Sequence, residues 1–170
     1  YGYEPGRDIE VKVVGVRPGD ADAVIATSRA VASVVDARRV RVVYPGVRRG
    51  RAATQRDPWT IGAAGRLVPI KGYNHLIQSL AEVRKHCPEA RLEIAGEGPS
   101  RAGLERQVRE LGLESAVTFL GWSEELSALM GRWTVFAQPS LEEALGIAVL
   151  QAMSSGLPVV ASAVGGIPEI

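Results

Sequence analysis

The stretch that decides the fold is Pro139-Ser140-Leu141-Glu142-Glu143-Ala144-Leu145-Gly146-Ile147-Ala148-Val149-Leu150-Gln151-Ala152-Met153. It continues through Ser154-Ser155-Gly156-Leu157-Pro158-Val159-Val160-Ala161-Ser162 to Val164-Gly165-Gly166-Ile167-Pro168-Glu169. Two acids and a glycine sit where a loop hands over to a helix. The apolar run to Met153 predicts a helix over 143–155, stopped by Gly156 and Pro158. Residues 158–162 then read as a short buried strand. A carboxylate beside exposed N–H groups at a helix start suits a ligand with both hydroxyls and phosphates. A sugar nucleotide is such a ligand.

Upstream of this stretch, strand and helix patterns alternate from Trp59 onward. Strands are expected at 59–65, 90–95, 116–120 and 133–137, and helices at 72–86, 100–112 and 123–131. The strands are short and apolar, and each helix keeps a polar face. That alternation predicts an α/β fold with a doubly wound, parallel, Rossmann-like sheet. Ligands bind such sheets beyond the carboxyl ends of the strands. Before Trp59, residues 22–28 read as a short buried strand ending at Ser28, a cap for a helix to about Ala37. Val40 to Tyr44 reads as a strand closed by Pro45-Gly46, and 47–58 as a linker. Residues 1–21 hold one alternating run, Ile9 to Val16.

With 170 residues, 46% hydrophobic and 23% charged, the chain has the composition of an ordinary soluble globular protein. A net charge of +1 points to no nucleic-acid partner. A single cysteine, Cys87, excludes an internal disulfide framework and suits a reducing cytoplasm. No apolar run approaches the roughly 18 residues of a membrane span. The chain starts at Tyr1 and ends at Ile170, and it reads as a fragment of a longer protein.

The 139–169 stretch resembles the donor-binding signature of the retaining glycosyltransferases of family four, which have the two-domain GT-B fold. The family pattern there is a Glu, seven residues and a second Glu, in a P-S-x-x-E context. Here the first Glu is Glu143, and the second position holds Gln151. Further matches follow in family order and spacing: Gly65-Arg66-Leu67-Val68-Pro69-Ile70-Lys71-Gly72, Ile94-Ala95-Gly96-Glu97-Gly98-Pro99 and Val117-Thr118-Phe119-Leu120-Gly121. The resemblance covers roughly residues 22–170. It implies that 1–46 is the tail of an acceptor-binding domain, 47–58 the linker, and 59–170 a nucleotide-sugar-binding domain incomplete at its C-terminus.

The resemblance also assigns roles. Arg66 and Lys71 would hold the diphosphate, whose charge grows as the sugar–phosphate bond breaks. Glu143 would accept hydrogen bonds from donor-sugar hydroxyls. Glu142 reads as a first-turn acid on the helix dipole. N–H groups near Leu145 and Gly146 would face sugar or phosphate. Gln151, eight residues after Glu143 and on nearly the same helix face, would take the ribose through its carbonyl, more weakly than a carboxylate would. Gly65, Gly96 and Gly98 lie in turns near the nucleotide, and the Gly96–Pro99 loop also reads as a simple tight turn. Gly121 and Trp122 would lie against the base, with Trp122 either stacking on it or covering the sheet edge. Gly165, Gly166 and Glu169 either border the donor sugar or make a structural turn.

The function implied is transfer of a hexose from a nucleotide diphosphate sugar to a hydroxyl acceptor, sugar or lipid-linked, with retention and no obligatory metal. These residues alone are expected to bind donor weakly and turn over little. Seven arginines and no acid in 38–56 read as a solvated edge, or as contact with an anionic membrane surface carrying the acceptor. His75 and His86 read as surface or packing residues, and with Cys87 they make no metal site. Two rival readings stay open: a sugar-nucleotide epimerase or phosphorylase on the same fold, and a non-catalytic binding module. Gly96-x-Gly98-x-x-Arg101 lacks the third glycine of a dinucleotide fingerprint, which disfavours an NAD-dependent oxidoreductase.

Overall fold

The computed structural model describes residues 23–35, 39–50 and 56–170. The Ile9–Val16 run and residues 36–38 and 51–55 lie outside the described residues. The chain begins with a small parallel pair, β1 (Val24–Ala26) and β2 (Val40–Val42), with α1 (Arg29–Ser33) between them. Ser28 caps α1 as its residue type predicts: its hydroxyl oxygen accepts from Val31 N at 3.0 Å. β1 departs from the expectation of a buried strand. Ile25 is 70% exposed and only Ala26 is buried.

Next come β3 (Thr60–Ala64), α2 (Tyr73–Arg84), β4 (Arg91–Ala95), α3 (Arg101–Glu110) and β5 (Val117–Gly121). Then follow α4 (Leu126–Arg132), β6 (Val135–Gln138), α5 (Ile147–Ser154) and β7 (Val159–Ala161). The five strands form one wholly parallel sheet in the order β5-β4-β3-β6-β7. The chain steps outward from β3 to β5 and then returns to β6 on the other side of β3. That reversal creates a crevice between the ends of β3 and β6, the place where open α/β sheets bind ligands.

Alternation along the strands builds two cores. Ala63, Leu92, Ile94 and Val117 face α2 and α3, where Tyr73, Ile77, Leu80, Leu104 and Val108 are buried. Ala64, Ala95 and Phe136 face the other way, onto Met130, Trp133, Val149 and Ala152. Trp133 is fully buried over Gly62, where a Cβ would fall 1.9 Å from the indole ring. Its Nε1 donates to Glu93 Oε2 at 2.8 Å, so the buried indole keeps its polar partner.

The helix expected over 143–155 begins only at Ile147. Gly146 precedes it at φ 94, a left-handed conformation that suits glycine and breaks helical geometry. The carbonyls an earlier start would need are also taken. Glu143 O accepts from Gly166 N at 3.2 Å, and Ala144 O from the Ser28 hydroxyl at 2.6 Å. Glu142 is therefore not a first-turn acid. Glu143 and Gln151 therefore do not share a helix face.

Candidate functional site

A cavity of about 770 Å³ opens at the switch point. The end of β3 and the turn after it contribute Gly65, Arg66 and Lys71. Gly96 and Glu97 follow β4, and Trp122 follows β5. The loop between β6 and α5 contributes Glu143, Leu145 and Gly146, and α5 adds Gln151. Of the eleven residues assigned to the site from the sequence, nine thus line a single cavity. Gly98 and Gly121 do not line it. A Cβ on Gly98 would strike Leu67 O at 2.4 Å, and Gly121 O accepts from Gly96 N at 2.7 Å. Both hold the cavity's loops in place from behind.

Charge in the cavity is organised around one ion pair. Lys71 Nζ lies 2.5 Å from Glu143 Oε2, with both side chains largely buried. A short 3₁₀ turn, Pro69–Lys71, presents Lys71 from the β3 side, and the β6–α5 loop presents Glu143 from the other. Ser140 donates its hydroxyl to the same carboxylate oxygen at 3.2 Å. Arg66 is exposed on the rim and makes no ion pair among the described residues.

The sequence reading assigned no individual role to Gln138, Ser140 or Tyr73. Gln138 ends β6, is 2% exposed, and donates Nε2 to Ser140 Oγ at 2.7 Å. Hydrogen-bond polarity fixes this relay. A carboxylate only accepts, so the single Ser140 proton goes to Glu143, and Ser140 Oγ must then accept from the Gln138 amide nitrogen. The amide oxygen, Oε1, is buried and has no hydrogen-bond partner among the described residues. Tyr73 is also buried, and its hydroxyl lies 2.8 Å from where a Cβ on Gly65 would stand. Its pKa is raised, first by burial and then by the Glu143 charge. The one signal for Gln138 in the sequence was a polar residue ending an apolar strand.

The first N–H groups of α5 have no side-chain cap, and no acid sits in its first turn. Ile147 and Ala148 line the cavity, so this helix end opens onto it and favours an anion. Trp122 stands 77% exposed at the rim. Glu169 lies elsewhere, with its carboxylate on the backbone of Arg29 and Ala30. Gly165 and Gly166 pack against the Glu143 loop from outside. Of the arginines in 38–56, Arg56 donates to the carbonyls of Ser155 and Gly156 at 3.2 and 2.8 Å and so closes the end of α5. Arg38 and Arg51 lie outside the described residues. Among those residues, no three His, Cys, Asp or Glu side chains are grouped to hold a metal, and no helix is long and apolar enough to cross a membrane.

A family model described as glycosyl transferases group 1 matches residues 48–170. The chain belongs to that family. It is 37% identical over 109 residues to 2-deoxystreptamine glucosyltransferase of Streptomyces kanamyceticus, covering 63% of this chain and 28% of the relative. It is 34% identical over 165 residues to D-inositol 3-phosphate glycosyltransferase of Nocardioides sp., covering 79% and 36%. Among solved structures it resembles Anabaena HepE in complex with UDP and glucose, with TM-score 0.77 and 27% identity, covering 89% of this chain and 47% of that one. It also resembles sucrose-phosphate synthase from Thermosynechococcus elongatus, with TM-score 0.77 and 28% identity, covering 88% and 43%. This group 1 glycosyltransferase chain therefore spans about a third of the length of those two curated relatives, and it has the α/β architecture of a GT-B glycosyltransferase.

Proposed function

We propose that the cavity binds a nucleotide diphosphate sugar, and that the whole protein transfers its hexose to a hydroxyl acceptor with retention of configuration and no obligatory metal. The observation that carries this reading is the Lys71–Glu143 pair set beside the open N-terminus of α5. A sugar nucleotide asks for an acceptor group at its hydroxyls and positive potential at its diphosphate, side by side. Glu143 Oε1 makes no hydrogen bond to a described residue and accepts from sugar hydroxyls. Lys71, Arg66 and the α5 N–H groups take the diphosphate. When the bond from the sugar C1 to the phosphate oxygen breaks, the electron pair stays on the diphosphate, and these cations stabilise it most at that moment. Gln151 takes the ribose, and Trp122 stacks on the base. The acceptor, a sugar or a lipid-linked hydroxyl at a membrane surface, approaches from the side of β1, where Thr27 lines the cavity.

Calorimetric titration with UDP, GDP and ADP, each with and without Mg²⁺, tests this reading. One nucleotide is expected to bind without the metal, and Arg66→Ala to weaken it. If none binds at millimolar concentration, or if binding requires Mg²⁺, this reading fails.

A further inference from the structure

The backbone of the Glu143 loop is held from outside by segments far away in the chain. Ser28 is fully buried and donates its hydroxyl to Ala144 O at 2.6 Å, across 116 residues of sequence. The same oxygen accepts from Val31 N, so the hydroxyl's single proton is committed to the loop. Beside Ser28, whose Cβ would lie 2.8 Å from a Cβ on Gly166, Gly166 N donates to Glu143 O. The turn there fits so closely that a Cβ on Gly165 would fall 1.7 Å from Glu143 O, and one on Gly166 2.3 Å from Ala144 O.

The same turn then reaches back to α1 and to Tyr44, just after β2. Glu169 Oε2 accepts from Arg29 N at 2.8 Å and from the Tyr44 hydroxyl at 2.7 Å, and Oε1 accepts from Ala30 N at 2.9 Å. Residues 28–30 and 165–169 are thus clamped to each other, and together they hold the Glu143 loop by its carbonyls. Without these bonds the carbonyls of Glu143 and Ala144 lose their holds from Gly166 and Ser28, and the loop is free to turn Glu143 away from Lys71.

We propose that Ser28 and Glu169 are positioning residues for Glu143: docking of α1 on Glu169 seats the Ser28 hydroxyl, and Ser28 holds the loop that presents Glu143 to the donor sugar. This rests on the reading of Glu143 as a sugar contact. It follows that α1 and its capping residue are part of what builds the donor site.

The test combines amide hydrogen exchange on the ligand-free 170-residue chain with titration of UDP against UDP-glucose and GDP against GDP-mannose. The variants are Ser28→Ala, Glu169→Gln and Tyr44→Phe. In Ser28→Ala, exchange over 145–148 should rise about tenfold while β3 and α2 stay protected, with smaller rises in Glu169→Gln and Tyr44→Phe. The affinity gained from the sugar, read as the ratio of nucleotide to nucleotide-sugar Kd, should fall about fivefold with the free nucleotide unaffected. Unchanged loop exchange in Ser28→Ala and Glu169→Gln overturns the proposal. So does a parallel loss of both affinities, which a merely structural role would produce. If Ser28→Ala does not fold, Glu169→Gln and Tyr44→Phe decide. If the unaltered chain binds none of the four probes, the donor-site reading falls, and the exchange measurement still decides whether Ser28 and Glu169 hold the loop.

Discussion

Removing either partner of the Lys71–Glu143 pair should expose how strongly the cavity depends on it. The side chains are 16% and 12% exposed, and the ions are 2.5 Å apart. At an effective dielectric of 20 that separation corresponds to an attraction of about 7 kcal/mol. Solvent screening and rearrangement of the side chain left behind reduce the coupling that a mutant cycle reads to about 2 kcal/mol. Lys71→Ala strands a carboxylate with only the Ser140 hydrogen bond, and should cost about 3 kcal/mol. Glu143→Ala should cost about the same, and the double variant about 2 kcal/mol less than the sum of the singles. Urea unfolding of the four proteins at constant m-value measures the cycle. Additivity within about 0.5 kcal/mol would refute the pair as a coupled element. The same four proteins carry a functional check. Glu143→Ala frees Lys71 for phosphate, so nucleotide binding should hold or strengthen while the gain from the sugar disappears. A loss of nucleotide affinity in Glu143→Ala would contradict this division of labour.

Three further outcomes are expected. Gly165→Ala places a Cβ 1.7 Å from Glu143 O at a left-handed position, so it should destabilise by about 2 kcal/mol or more in urea and weaken nucleotide-sugar binding. Trp122→Ala should leave stability within about 0.5 kcal/mol, because the ring is already in solvent, yet lower nucleotide affinity about tenfold through lost stacking. Unchanged affinity would make Trp122 a cover for the sheet edge. The Glu169 carboxyl is held below its ordinary value of 4.5, first by the Arg29 N–H and then by the Tyr44 hydroxyl. A lowered folded pKa means its contribution is present above that ordinary value and is lost as pH falls through the lowered one. The amide resonances of Arg29 and Ala30 should therefore stay constant from neutral pH into mild acid and titrate with a midpoint below 4.5. A midpoint at or above 4.5 would mean that the carboxylate does not cap α1 in solution.

Much of this protein was legible before any coordinates. Each of the five strands after Trp59 sits within two residues of its apolar run, because parallel strands carry apolar side chains on both faces and leave a short, uninterrupted signal. β7, expected to be buried, is instead an edge strand with Val160 68% exposed. Ser28 announced the start of α1, since capping is a local exchange between one hydroxyl and one nearby N–H. The start of α5 was misplaced for the opposite reason. Nothing local in Glu142–Leu145 opposes a helix, and the bonds that do oppose it come from Ser28 and Gly166. Gln138 and Tyr73 escaped notice because a lone polar side chain in an apolar segment has no partner in the sequence to give it meaning.

Hydrophobic period, strand–helix alternation and the order of glycines and charges were sufficient for the sheet, its winding and the group of residues at its carboxyl edge. All of these are written in residues a few positions apart, where backbone geometry turns spacing directly into facing. The tertiary structure alone decided how those residues engage: that Lys71 is paired with Glu143, that Gln138 and Ser140 orient the carboxylate, and that Glu169 serves α1 rather than the cavity. Those are contacts between groups up to 140 residues apart, and hydrogen bonds and ion pairs fall off within a few ångströms. Their partners exist only once the chain has brought them together.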